Sequence, residues 1–160
     1  MKLIALTQGQ FAKVDDEDFD NLSRVRWCAQ YSKNSDSFYA KSRSSRTLGK
    51  PKTIYLHRLI MGFPEGMKVD HKNGDTLDCQ KSNLRICTNS ENLMNRKGAT
   101  SASKSGVRGV CWHNVAKKWR AEICINRRTK YLGLFADIED ASRVVVNARS
   151  EYFGEFAGGA

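Results

Sequence analysis

The first half of the chain alternates short apolar runs with polar turns, and the last third carries longer alternating runs followed by one helical stripe. Residues 3–6 and 11–14 read as strands around a Thr7-Gln8-Gly9 turn. Four acidic residues, 15–18, place negative charge at the first turn of a short helix running towards Val25 or Trp27. Residues 38–41 and 53–60 read as further extended or mixed segments, separated by a Ser/Arg-rich turn over 44–50. Residues 69–75 read as a strand entering a tight Asn-Gly loop, and 83–87 as the strand that follows it. Thr88-x-x-Glu91 is a capping box, opening a helix that carries Asn92 and Asn95.

Residues 97–105 are small, polar and basic without periodicity, which predicts a flexible linker. Beyond it, 107–112, 119–125 and 130–135 read as three strands, the last two turned by residues 126–129. Residues 137–153 read as a helix with Ile138, Ala141, Val145, Ala148 and Tyr152 on one face. The expected class is α+β. A first domain over 1–96 is followed, after the linker, by a three-stranded antiparallel sheet packed on one helix over 106–157.

The 160 residues carry 27 Lys plus Arg against 17 Asp plus Glu, a net charge of +10. The excess is concentrated: residues 96–130 contain a single acid, Glu122, and residues 33–58 a single acid, Asp36. Two basic stretches flanking a mixed segment point to a nucleic-acid backbone contacted at two places. With 40% hydrophobic residues there is material for packed cores. No apolar run reaches membrane-spanning length, and no signal peptide is visible at the start. The expectation is a cytoplasmic protein, not secreted, with no membrane partner. The five cysteines form no C-x-x-C pair, so reduced thiols and no zinc are expected.

The chemistry-bearing constellation is Asp70-His71, then Asn83, then Asn92. A carboxylate and an amide oxygen are hard donors suited to one Mg²⁺ whose other ligands are water and phosphate. Strand alternation turns His71 away from Asp70, leaving its imidazole to activate water as a general base. Asn83 is placed to tie loop backbone groups together. His57 and Arg58, on the segment 53–60, are candidate phosphate contacts. A polar Asx turn is the plain structural alternative. An EF-hand is excluded, since with Gly74 at loop position six, position one is Val69.

Leu56-His57-Arg58-Leu59-Ile60-Met61, Val69-Asp70-His71-Lys72-Asn73-Gly74-Asp75, Asn83-Leu84-Arg85 and Thr88-Asn89-Ser90-Glu91-Asn92 together resemble the HNH nucleases with a ββα-metal motif, in the branch found in phage homing endonucleases. The resemblance covers about residues 54–96. It implies Asp70 and Asn92 as ligands of one Mg²⁺ or Mn²⁺, His71 as the base, Asn83 as the loop brace, and double-stranded DNA as substrate, hydrolysed without a small-molecule cofactor. Asn89 and Asn95 lie close enough in sequence to compete with Asn92 as ligand. A monomer acting in the cytoplasm of the host cell is the implied state.

Residues 104–157 resemble the Apetala-type DNA-binding domain, through Gly106-Val107-Arg108-Gly109-Val110, Lys118-Trp119-Arg120-Ala121-Glu122-Ile123, Tyr131-Leu132-Gly133-Leu134-Phe135 and Tyr152-Phe153-Gly154-Glu155-Phe156-Ala157. That resemblance implies a sheet reading the major groove. Alternation on the second strand puts Arg120, Glu122, Cys124 and Asn126 on one face, and Trp119, Ala121, Ile123 and Ile125 on the core side. Arg120 and Asn126 are then the better base-reading candidates, with Arg108, Lys130 and Tyr131 nearby. Trp112, Arg127, Arg128, Arg96 and Lys97 complete the DNA-binding set. Cys111 and His113 stand where that family commonly carries base-reading arginines. A DNA-binding transcriptional regulator with an inactive HNH-like scaffold is the alternative.

Overall fold

A computed structural model describes residues 1–33, 35–44, 52–96, 98–99 and 103–158. Lys97, residues 100–102 of the expected linker and most of the turn expected over 44–50 lie outside the described residues. The chain divides into two compact units, Met1–Asn92 and Leu93–Ala160. Among the described residues, no helix is long and apolar enough to cross a membrane.

The first unit is built from three small antiparallel sheets. β1 (Lys2–Ala5) pairs with β2 (Phe11–Val14) across the Thr7–Gly9 3-10 turn. α1 runs only from Asp16 to Leu22, shorter than the charge pattern implies. Trp27 lies beyond it in extended chain, and its indole Nε1 donates to Leu22 O at 2.9 Å. That bond caps the helix early and leaves the indole free to fill the core. β3 (Cys28–Ser32), β4 (Ser37–Arg43) and β5 (Thr53–Tyr55) form the second sheet, in the order β3-β4-β5. The expected extended run 53–60 turns helical halfway: α2 covers Leu56–Ile60. β6 (Lys68–His71) and β7 (Leu84–Cys87) form the third sheet, and α3 (Asn89–Met94) follows. Ile4, Ala12, Val14, Leu22, Trp27, Ala40, Leu56 and Cys79 pack as one core drawn from β1, β2, α1, β4, α2 and two connecting segments. Burial pushes the Cys79 thiol up to about 12, making it an inert packing group.

In the second unit, β8 (Val110–His113), β9 (Lys118–Ile125) and β10 (Arg128–Phe135) pair in the order β10-β9-β8, covered on one face by α4 (Ile138–Phe153). Ala121, Ile123, Val110 and, from α4, Ala141, Val145, Ala148 and Phe153 supply the buried centre. The helical stripe ends on Phe153 rather than the expected Tyr152, which is 40% exposed. The β9–β10 turn is also tighter than expected. Asn126 (φ 48°) and Arg127 (φ 64°) make a two-residue turn with both residues left-handed, the geometry that matches strand twist, so Arg128 already pairs with Ile125.

Gly109 shows how closely this unit is packed. Its φ is +86°, and a Cβ there would lie 2.6 Å from Glu122 O and 3.0 Å from Val145 Cγ1. Gly109→Ala is expected to cost about 1–3 kcal/mol of unfolding free energy, read as a lowered urea midpoint at unchanged slope.

Candidate active site

The antiparallel register of the third sheet sets Asp70 opposite Arg85 and His71 opposite Leu84. Asp70 and His71 are both buried, at 7% and 5% exposure. Alternation sends them to opposite faces. Arg85 Nε and Nη2 donate to Asp70 Oδ2 at 2.9 and 2.7 Å, a buried charge-assisted pair. On the other face His71 meets a group of aromatic rings. Burial pushes its imidazole down to about 4, against the pull of the Asp70, Asp75 and Asp78 carboxylates. It is therefore neutral at pH 7.

The loop between the two strands is braced from within. Asn83 Nδ2 donates to Asp78 O (2.8 Å), and Asn83 Oδ1 accepts from the Asn73 backbone N–H (3.0 Å). One amide side chain thus spans the loop. The Asn73 side chain donates to Asp78 Oδ2 at 2.9 Å, and Gly74 (φ +74°) closes the turn by donating to His71 O. α3 then opens on a complete capping box: Thr88 N–H donates to Glu91 Oε2 (2.7 Å) and Glu91 N–H to Thr88 Oγ1 (3.2 Å). Asn89 is exposed and Asn92 half-buried within α3, while Asn95 lies past its end, buried in the second unit.

His57 and Arg58 require correction. They sit on α2, not on an extended segment, because the turn after Tyr55 carries Leu56 into the core. His57 is 8% exposed, with its ring 5.1 Å from that of His71. Burial, with smaller contributions from His71 and Arg58, pushes it down to about 3. The exposed phosphate contact expected at His57 is instead a buried ring on α2 packed against His71. Arg58 donates to Met67 O (3.0 Å) and Pro64 O (2.9 Å), so its guanidinium ties down the loop 61–67.

The burial of His57 has a measurable consequence. With an ordinary value of 6.5 and a folded value of about 3, only the unfolded chain takes up this proton between those limits. Stability therefore falls as pH drops from 6.5 towards 3, with a slope approaching ~1.4 kcal/mol per pH unit from this residue. The groups facing it are Tyr39, Tyr55, His71 and its neighbour Arg58. His57→Phe is expected to flatten the dependence by about one proton in urea unfolding in metal-free buffer between pH 4.5 and 7.

Asp70 on β6, ion-paired with Arg85, and Asn92 on α3 carry a carboxylate and an amide oxygen, donors of the kind a hard divalent cation takes. Among the described residues no three His, Cys, Asp or Glu side chains converge as metal ligands. A Mg²⁺ site with two protein ligands does not require such a cluster, since water and substrate complete the octahedron.

In the second unit, register separates the DNA-binding candidates. Arg120, Glu122 and Cys124 face away from α4 together with their partners Cys111, Tyr131 and Thr129. His113, Arg120, Glu122, Thr129, Tyr131 and Leu134 line one shallow depression on that open face. Arg120 Nε is paired with Glu122 Oε2 at 2.8 Å, and Tyr131 is 58% exposed. Trp112 and Lys130 belong to the opposite, helix-covered face. Trp112 pairs with Trp119, their rings 5.0 Å apart, and the Lys130 ammonium lies over the Tyr152 ring. Arg128, paired with Ile125, takes that side as well, whereas Asn126 and Arg127 are exposed at the turn.

Arg108 is not on the open face of the sheet. Its guanidinium donates to the carbonyls of Leu93 (3.1 Å), Met94 (3.3 Å) and Arg96 (2.6 Å), leaving the Arg96 side chain exposed. Arg149, buried on α4, adds a bond to Met94 O at 2.9 Å and another to Ala157 O. Neither role is legible along the chain, because backbone carbonyls leave no residue signature.

Residues 55–94 match the family described as HNH endonuclease, the stretch that forms α2, the β6–β7 hairpin and α3. This segment carries the HNH endonuclease match, which supports nuclease activity. The chain is 29% identical over 163 residues to an uncharacterized HNH endonuclease of Acanthamoeba polyphaga mimivirus, covering 97% of this chain and 77% of that protein. It is 28% identical over 95 residues to Protein 3.8 of Escherichia phage T7, covering 59% of this chain and 77% of that one. It is 42% identical over 65 residues to DNA endonuclease I-HmuI of Bacillus phage SP01, covering 36% of this chain and 37% of that protein.

Proposed function

We propose that the protein is a site-specific, metal-dependent DNA endonuclease of the homing type, acting in the host cytoplasm. One observation carries the reading. Asp70-His71 on one strand, a loop braced by Asn83 and a capped helix bearing Asn92 follow one another within the segment that matches the HNH endonucleases. His71, buried and neutral, takes the proton from the attacking water. Asp70 and Asn92 would hold one Mg²⁺ or Mn²⁺, which would supply stabilisation of negative charge on the scissile phosphate and the leaving oxygen. The open face of β8–β10, with Arg120 and Tyr131, is the reader implied by the Apetala-type resemblance, and Arg127 and Arg96 are exposed for phosphate.

The test uses the full chain and a supercoiled plasmid library with randomised inserts, incubated with Mg²⁺, Mn²⁺ or EDTA. Nicked or linear product in either metal and none in EDTA is the expected result. Retention of DNA without cleavage in any metal would overturn the nuclease reading in favour of a regulator. Nicked circles without linear product would identify one active site working as a monomer.

A further inference from the structure

His71 closes a ring of four aromatic side chains drawn from four elements of the first unit. Its imidazole lies edge-on to His57 of α2, with centroids 5.1 Å apart and planes at 68°, and edge-on to Tyr39 of β4 at 6.4 Å and 65°. His57 is wedged between Tyr39 (5.8 Å) and Tyr55 of β5 (5.7 Å), and the two tyrosines meet edge to face at 6.3 Å. Every member of the group therefore touches at least two others. His57 Nδ1 is buried without a hydrogen-bond partner, so contact between rings is what that side of the imidazole offers its surroundings.

From this geometry we infer that His57 and Tyr39 are positioning residues for His71: they wall its imidazole into one orientation, the one from which it takes a proton from water. The inference rests on the reading of His71 as the base. A general base works only within hydrogen-bond reach of the proton it removes, and small misplacements are costly in rate. A strand end leaves a side chain room to turn about χ1, and register sets Leu84 opposite His71. The aromatic wall behind it adds restraint on that turn. Edge-to-face rings hold an angle as well as a distance. A five-membered ring at position 57 permits the 5.1 Å approach while Tyr39 stays in contact with both imidazoles. This accounts for a second buried histidine packed directly against the first, His57 at 8% exposure beside His71 at 5%.

The test compares His57→Ala, Tyr39→Ala and Tyr39→Phe in the full chain, with two readouts. The first needs no activity: the side-chain ¹H–¹⁵N resonances of His71 report its tautomer and mobility in the metal-free protein. The second is single-turnover cleavage of plasmid DNA in Mg²⁺ as a function of protein concentration. The expected result is a single sharp His71 signature in the parent and in Tyr39→Phe, broadened in both alanine variants. Cleavage should fall about 10- to 100-fold in the maximal rate, with the half-saturating concentration unchanged. Alanine variants with the parent signature and the parent rate would overturn the inference. A raised half-saturating concentration at an unchanged rate would do so too, because it would make His57 a DNA contact. Should an alanine variant lose its fold, His57→Gln and Tyr39→Leu carry the same comparison. Should the parent cleave nothing, the nuclease reading fails, and the resonances still decide whether the wall orders His71.

Discussion

His71→Ala is expected to lower metal-dependent cleavage about 10²- to 10⁴-fold while leaving DNA affinity at the parent level. The size follows from what is removed. A positioned base takes up the proton as the water attacks, and alanine leaves nothing in its place to accept it. Affinity is spared because the imidazole is 5% exposed and neutral, so it supplies no charge to the phosphate backbone. The measurement is single-turnover cleavage beside a gel-shift titration at one fixed salt concentration. Parent-level cleavage by the variant would remove His71 from the chemistry and return attention to another base within the segment 55–94. A parallel loss of binding and rate would instead mean that the substitution had disturbed the hairpin that carries Asp70.

The candidate site was more legible in the sequence than the fold around it, for a physical reason. Asp70, His71, Asn83 and Asn92 are bound to local structure: a hairpin, its loop and a capped helix, each written in residues close together along the chain. Thr88-x-x-Glu91 announces its own hydrogen bonds, and Asn83 braces a loop whose ends are adjacent in sequence. What surrounds these groups is assembled over longer distances. Tyr39 meets His71 across 32 positions, and nothing in the alternation of residues 38–41 marks that ring as part of a site. The segment 53–60 misled because a three-residue strand passes straight into a five-residue helix. Neither piece is long enough to display its own period.

The second unit divides in the same way. Parity along β9 correctly separated Arg120, Glu122 and Cys124 from Ala121 and Ile123. Parity within one strand cannot assign its neighbours, because their faces depend on register. The bulge between Tyr131 and Gly133, and a turn of two residues rather than four, decide which side of the sheet Lys130 and Tyr131 take. Trp112 is assigned by its pairing with Trp119. Arg108 was invisible as a carbonyl ligand because a basic residue in a basic stretch reads as surface, and Arg149 because a charged residue on a helix does. Burial shows in structure alone.

The buried pair of Asp70 and Arg85 offers the largest stability effect in the first unit. Arg85→Met is expected to cost about 3–5 kcal/mol, a large part of the free energy of a small domain, because the Asp70 carboxylate stays buried after its guanidinium partner is gone. Both side chains are below 10% exposure, at 9% and 8%, so water cannot cheaply replace the 2.7 and 2.9 Å bonds. The double variant Asp70→Leu with Arg85→Met should recover most of that loss, since an apolar pair of similar volume carries no desolvation cost. Cleavage should not return with the stability, because the carboxylate assigned to the cation is absent. Urea midpoints of parent, single and double variants, read beside plasmid cleavage in Mg²⁺, separate the two contributions. A single variant within about 1 kcal/mol of the parent would show that the pair holds little of the fold. A double variant that regained cleavage would displace Asp70 from the metal site and leave Asn92 without its partner ligand.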